Sequence, residues 1–375
     1  MFHTYHFFHF FKNRELNELY ITMAIKSFAL ALIGIFIPIY LYKLGYSFSS
    51  IFFFYAVISL THLIFTIPSA KIAAKFGIKH SILFSIPFLI VFLLLLYSLE
   101  QFHWPLYLLG MLFGFYGALF WMGYHTDFSK FSDKKKRGSE ASFSSIICSL
   151  FYVIGPLAGG LILTFFGFKI LFILVAILLL FSVIPLFLSS EVYEPMKFSL
   201  KDFFKKQKFK DSISFIGKGI ELGLGLVVWP LFIFIFILNE KYLSVGFISS
   251  LTFLSAMLFI FVIGNFANRH RKKVLKISAI SNALIWLVKS IIITPIQVIA
   301  TDILYGFSHS SMTLSFDVIC YDKANKTGIL QFISTREIFH HVGKVLIFSL
   351  LMFTTNFISV FRFGGSIASL FSLFF

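Results

Sequence analysis

The feature that most constrains this chain is a succession of apolar runs. Twelve stretches follow one another at 19–41, 48–70, 80–99, 104–127, 141–165, 168–189, 213–238, 244–268, 274–293, 295–318, 332–354 and 357–375. Each is close to the roughly 20 residues that cross a bilayer core about 30 Å thick. Hydrocarbon offers the backbone no hydrogen-bond partner, so each run must satisfy its own N–H and C=O groups as a helix. The expected fold class is all-α integral membrane, with twelve transmembrane helices. Composition agrees, since 58% of residues are hydrophobic and 13% charged, against about 45–50% and about 25% in soluble domains. The 55 phenylalanines add no functional signal, because lipid accepts any large hydrophobe.

A net charge of +16 would fit a nucleic-acid binder if the charge were clustered on one face. Instead it lies in the short connections between the runs. Twenty-three lysines and arginines fall in one alternating set of connections; the other set holds only Lys43, Lys169, Lys241 and Arg362. Positive residues stay on the cytoplasmic side, so a multi-pass protein of the cell membrane with both termini cytoplasmic is expected, and nucleic acid is not expected as a partner. The first twenty residues show no cleavage signal, and their His3, His6 and His9 fit an aromatic interfacial helix better than a metal site. Cys148 and Cys320 form no C-x-x-C pair. Neither a metal nor a cofactor is expected.

The chain also repeats itself. Lys26 and Pro38 recur as Lys218 and Pro230, Asp127 and Gly138 as Asp317 and Gly328, and the basic segment 70–79 as 264–273, at offsets of 190 to 194 residues. Duplication is a recurring origin of transporter folds. It divides the chain into a six-helix half at 1–189, a basic cytoplasmic linker at 190–212 and a second, pseudo-symmetric six-helix half at 213–375.

At these residues the chain resembles the major facilitator superfamily over nearly its whole length. That family carries a G-x-L-A-D-R-x-G-R-K loop between its second and third helices. Here the first copy reads AKIAAKFGIK, in which Ala73, Lys75, Gly77 and Lys79 fit, and the second reads GNFANRHRKK, in which Gly264, Ala267, Arg269 and Lys273 fit. Ala74 and Asn268 stand where the family has an acid that helps latch its inner gate. Gly155, Pro156, Gly159 and Gly160 are similar to the core of a family motif commonest in exporters. A proline frees a backbone carbonyl and bends a helix, while glycines admit a close neighbour. The resemblance implies a small-molecule carrier that works as a monomer and is not an enzyme.

Ionisable groups at membrane depth are costly and are functional candidates by default. Lys26, His62, Glu221, His309, Glu337 and His341 fall at similar depth, about 8–14 Å from the basic side at about 1.5 Å per residue. Asp302 begins a stripe with Gly306, His309 and Thr313, and Glu337 one with His341 and Lys344. These seven ionisable groups, Asp302 included, are the expected substrate and ion pathway. Pairing that merely closes helix contacts is the structural alternative. No G-x-x-x-x-G-K-[ST] loop is present, so an ion gradient would drive transport, and the buried acids and histidines point to protons. The expected function is secondary active transport by alternating access, tilted towards efflux. The rivals are an intramembrane enzyme on a lipid-linked substrate and a non-transporting sensor or scramblase of the same fold. A cysteine at Lys135 or Lys206, in a chain otherwise free of cysteine, should resist an impermeant thiol reagent in intact cells. One at Lys43 or Lys241 should react.

Overall fold

The computed structural model describes residues 14–133, 137–191, 193–194 and 209–375, with the side chains of 15, 138, 261 and 263–269 outside that description. The amino-terminal histidines and most of the 190–212 connection lie outside it too. Every regular element among the described residues is helical. The main helices are α1 (Arg14–Ile33), α2 (Ile37–Lys43), α3 (Phe48–Phe76), α4 (Ile78–Phe102), α5 (Leu106–Phe131), α6 (Arg137–Ser182), α7 (Phe209–Gly223), α8 (Trp229–Phe236), α9 (Tyr242–Lys289), α10 (Pro295–Thr327) and α11 (Ile329–Phe353). Among the described residues eight stretches are long and apolar enough to cross a membrane, the last being Phe357–Phe374. The eight leave out α10 and α11, which carry Asp302, His309, Glu337 and His341.

Local chemistry sets the breaks. Ser47 caps α3 by accepting from Ser50 N, and Thr294 and Gln297 form a reciprocal capping box at the start of α10, with Pro295 at its first position. Gly77, at φ 103°, separates α3 from α4, a backbone conformation that side-chain-bearing residues rarely adopt. Two long helices are interrupted rather than ended. Gly167 (φ 77°, ψ 179°) breaks α6, and His270 (φ −126°, ψ 38°) breaks α9. Large apolar side chains such as Phe165, Phe166, Ile173 and Leu180 face outward, as a lipid solvent requires.

The segments before and after the central connection meet along two seams, α6 against α9 and α3 against α11. Small residues set the α6 seam. A Cβ built on Gly246 of α9 would lie 2.3 Å from the carbonyl oxygen of Pro156, and one on Gly160 would lie 3.0 Å from that of Tyr242. On its other side α6 packs on α1, where a Cβ at Gly159 would meet the carbonyl oxygen of Leu32 at 2.0 Å. Leu157 N donates to Ser250 Oγ across the seam at 3.2 Å. The glycines around Pro156 are thus explained by backbone contact on two faces. Likewise Gly110, Gly114 and Gly117 of α5 abut Val57, Thr61 and His62 of α3.

Replacing Gly159 by alanine should therefore destabilise the protein by about 1–3 kcal/mol, the usual cost of overpacking. Gly34→Ala, with nothing within 4 Å of the new methyl, should cost far less. Thermal unfolding of the two variants in one detergent checks the contrast.

Candidate functional site: buried ionisable groups

In a low-dielectric interior a charge must find a partner or stay neutral. Glu221 of α7 shows how fully this chain meets that demand. Its Oε2 accepts from Lys218 Nζ at 3.0 Å. Its Oε1 accepts from Tyr305 OH at 2.7 Å and Asn282 Nδ2 at 3.1 Å, and lies 2.7 Å from His309 Nδ1. Lys218 Nζ also donates to Thr313 Oγ1 at 2.7 Å. Three helices, α7, α9 and α10, thus converge on one carboxylate.

Asp302 lies in a second cluster. On its own helix no charged group is within one turn, which in the sequence makes it look isolated. The structure corrects this. Lys289 Nζ, fully buried at the end of α9, lies 2.8 Å from Asp302 Oδ1. Trp229 Nε1 donates to both carboxylate oxygens, at 2.9 and 3.1 Å. The rings of Tyr305 and Trp229 lie 3.8 and 4.3 Å from the ammonium. Sequence reasoning missed Lys289 because a lysine near the end of an apolar run reads as snorkelling to water.

The third cluster joins the two segments of chain. His62 Nε2 of α3 lies 3.2 Å from Glu337 Oε2 of α11, and His125 Nε2 of α5 lies 3.8 Å from Glu337 Oε1. The rings of His62 and His341 stack at 3.6 Å. Arg336 lies between two acids, with Nη2 2.8 Å from Asp317 Oδ1 and Nη1 3.6 Å from Glu337 Oε1. His125, close to the end of an apolar run, was also missed. Lys26 is buried apart from these acids, its Nζ 3.4 Å from the Phe120 centroid and 4.4 Å from that of Trp121. The single expected layer thus resolves into separate clusters, with Glu221 and His309 in one and His62, Glu337 and His341 in another.

At the basic end the loop residues divide. Lys79 is buried, and its Nζ donates to Glu18 at 3.0 Å, while Glu191 accepts from Lys79 N and His80 N at the start of α4. A Cβ at Gly77 would strike the Glu191 side chain. Acids from α1 and from the connection after α6 thus meet this loop, which has Ala74 where the resemblance expects its own acid. Lys75 and Lys273 are exposed, and the side chains of Gly264 and Arg269 lie outside the described residues. Across the two segments Arg137 Nη1 lies 2.8 Å from Asp322 Oδ1, and Arg271 holds Oδ2 of the same carboxylate. Asn325 Nδ2 donates to Ser129 O at 2.9 Å. At the opposite end Lys43 lies 2.8 Å from Glu240, an exposed pair, and Tyr42 OH donates to the same carboxylate at 3.3 Å. The hydrogen bond from Lys43 holds the Glu240 carboxyl below its ordinary range.

Apolar helices facing lipid, enclosing ion-paired clusters within the second segment and along the α3–α11 seam, define an integral multi-pass membrane protein with a polar interior. The chain belongs to the Major Facilitator Superfamily, whose family model matches residues 19–240. No individual curated protein matches it. Members of this family are generally transporters of small molecules rather than enzymes, which makes membrane transport the general function of this chain.

Removing one member of a buried pair leaves an uncompensated charge, at about 3–5 kcal/mol. Lys289→Met should therefore destabilise the protein by that order, and adding Asp302→Asn should recover much of the loss. Thermal melts of the two singles and the double, read as a double-mutant cycle, check the coupling.

Proposed function

We propose that the chain is a secondary active transporter of a small molecule, coupled to protons, working by alternating access between two six-helix halves at 1–189 and 213–375. The breaks at Gly167 and His270 support twelve passes, because dividing α6 and α9 there yields four stretches of near-spanning length. The excess of lysine and arginine at one end supports both termini being cytoplasmic. Rocking of the halves would break Arg137–Asp322 at that end and Lys43–Glu240 at the other in turn. Efflux is the direction read from the resemblance of the Gly155–Gly160 segment, whose glycines also serve as packing surfaces.

The observation that carries proton coupling is the Glu221–His309 contact at 2.7 Å. Imidazole and carboxylate are both groups that take up and release protons, so this close pair can hold one between them. A proton arriving at His309 or Glu221 changes what Lys218, Tyr305 and Asn282 can donate to, so proton and substrate compete for one set of donors. Asp302, paired to Lys289, is better read as holding α9 to α10. Lys26 is the proposed substrate contact of the first half.

The test is transport by the purified chain in proteoliposomes, with substrates drawn from a thermal-shift screen of metabolites and drugs. Glu221→Gln should abolish accumulation driven by a pH gradient while leaving counterflow, which needs no net proton movement. If the variant concentrates substrate at the wild-type rate with unchanged pH dependence, the protons are not coupled there.

A further inference from the structure

We infer that His62, Glu337 and His341 form a binding site for a divalent first-row transition-metal ion, with His125 as a fourth ligand drawn in on binding. The three residues each offer one ligand atom, and these atoms all lie within 4.8 Å of one another. They are 2%, 3% and 5% exposed, so bulk solvent does not reach them. Two imidazoles and one carboxylate are a ligand set suited to zinc, cobalt or iron rather than to magnesium or calcium, which demand more oxygen.

Hydrogen bonding leaves this set unspent. His341 Nδ1 has no hydrogen-bond partner, and His62 Nε2, although 3.2 Å from Glu337, makes no hydrogen bond to it by geometry. A buried ring nitrogen left without a partner is costly, and a metal ion would satisfy the lone pairs of both rings at once. His125 is held as metal-binding histidines usually are. Its Nδ1 is 2.8 Å from the Tyr321 hydroxyl, which turns Nε2 towards Glu337, 3.8 Å away. The nearest guanidinium, Arg336, holds Asp317 at 2.8 Å through Nη2 and lies 3.6 Å from Glu337 Oε1 through Nη1, which leaves Oε2 as the ligand oxygen facing His62. Closing to metal–nitrogen distances of about 2.0–2.1 Å requires the ligand atoms to move together by about 1 Å. His62 and His125 come from one segment of chain and Glu337 and His341 from the other, so a bound ion would bridge the seam. Glu337 and His341 are one turn apart on α11, but their partners lie far away in sequence, which hid the set there.

The inference rests on the seam that the transport reading also uses. Binding is measured without transport, so failure here leaves that reading standing. Full-length protein, purified in detergent through a tag without histidine, is titrated with Co2+ and followed by its visible ligand-field absorption. One Co2+ per chain should bind with the intensity of a four- or five-coordinate site, displaced by Zn2+ but not by excess Mg2+ or Ca2+. Replacing His3, His6 and His9 by alanine should leave the spectrum unchanged. His62→Gln and Glu337→Gln should each weaken binding at least about tenfold, and Tyr321→Phe, which removes no ligand, should do so by about ten- to a hundredfold. Zinc-edge X-ray absorption of the wild-type protein, which needs no variant to fold, should show imidazole and oxygen scatterers without sulfur. Absence of the cobalt band, its survival in a His62→Gln/His341→Gln double variant, or its loss with the amino-terminal histidines would overturn the assignment.

Discussion

Everything in this molecule follows from a solvent that forms no hydrogen bonds. Lipid forces the backbone into helices, and it also forces each polar side chain to find its partners inside the protein. That second demand shapes the interior. Glu221 collects Lys218, Tyr305, Asn282 and His309, and Asp302 collects Lys289 and Trp229. Glu337 faces His62 and His125 across the α3–α11 seam. Replacing such groups with hydrophobes often leaves a protein as stable or more so, so stability alone is a poor reason for their presence. A function that changes charge or ligation at these points is the better one.

The seams give those clusters mechanical meaning. Helices in lipid associate through close packing rather than through hydrophobic burial. Gly246 on Pro156 and Gly160 on Tyr242 bring the α6–α9 backbones together. The α3–α11 seam carries ionisable groups instead, among them His62, Glu337 and His341. In the transport cycle proposed above, one seam would act as a pivot and the other as the point where chemistry is felt. The ends differ as well. Arg137–Asp322 is largely buried, whereas Lys43–Glu240 is exposed and worth at most about 1 kcal/mol.

The all-helical membrane character was legible in the sequence, because apolar runs of spanning length are a local signal. The membrane-depth residues were legible as a set, since a charge in an apolar run stands out. Their partners were not. Lys289 and Asp302 meet because α9 and α10 fold back on each other, and His125 reaches Glu337 because α5 packs directly on α11. Isolation along one helix, as at Asp302, says nothing about neighbours on the next. The glycines show the converse, since Gly110, Gly114 and Gly117 align as a stripe that packs on α3 instead of facing a cavity.

The central claim is that the two segments rock about their seams, and paired distances at both ends measure it most directly. Spin labels at exposed Lys75 and Lys272 report on the basic end, and labels at exposed Ser49 and Thr355 report on the other. Double electron–electron resonance in nanodiscs across a pH series should show the two distances changing in opposite directions, one end widening as the other narrows. Distances that stay fixed at both ends, or that widen together, would contradict the account.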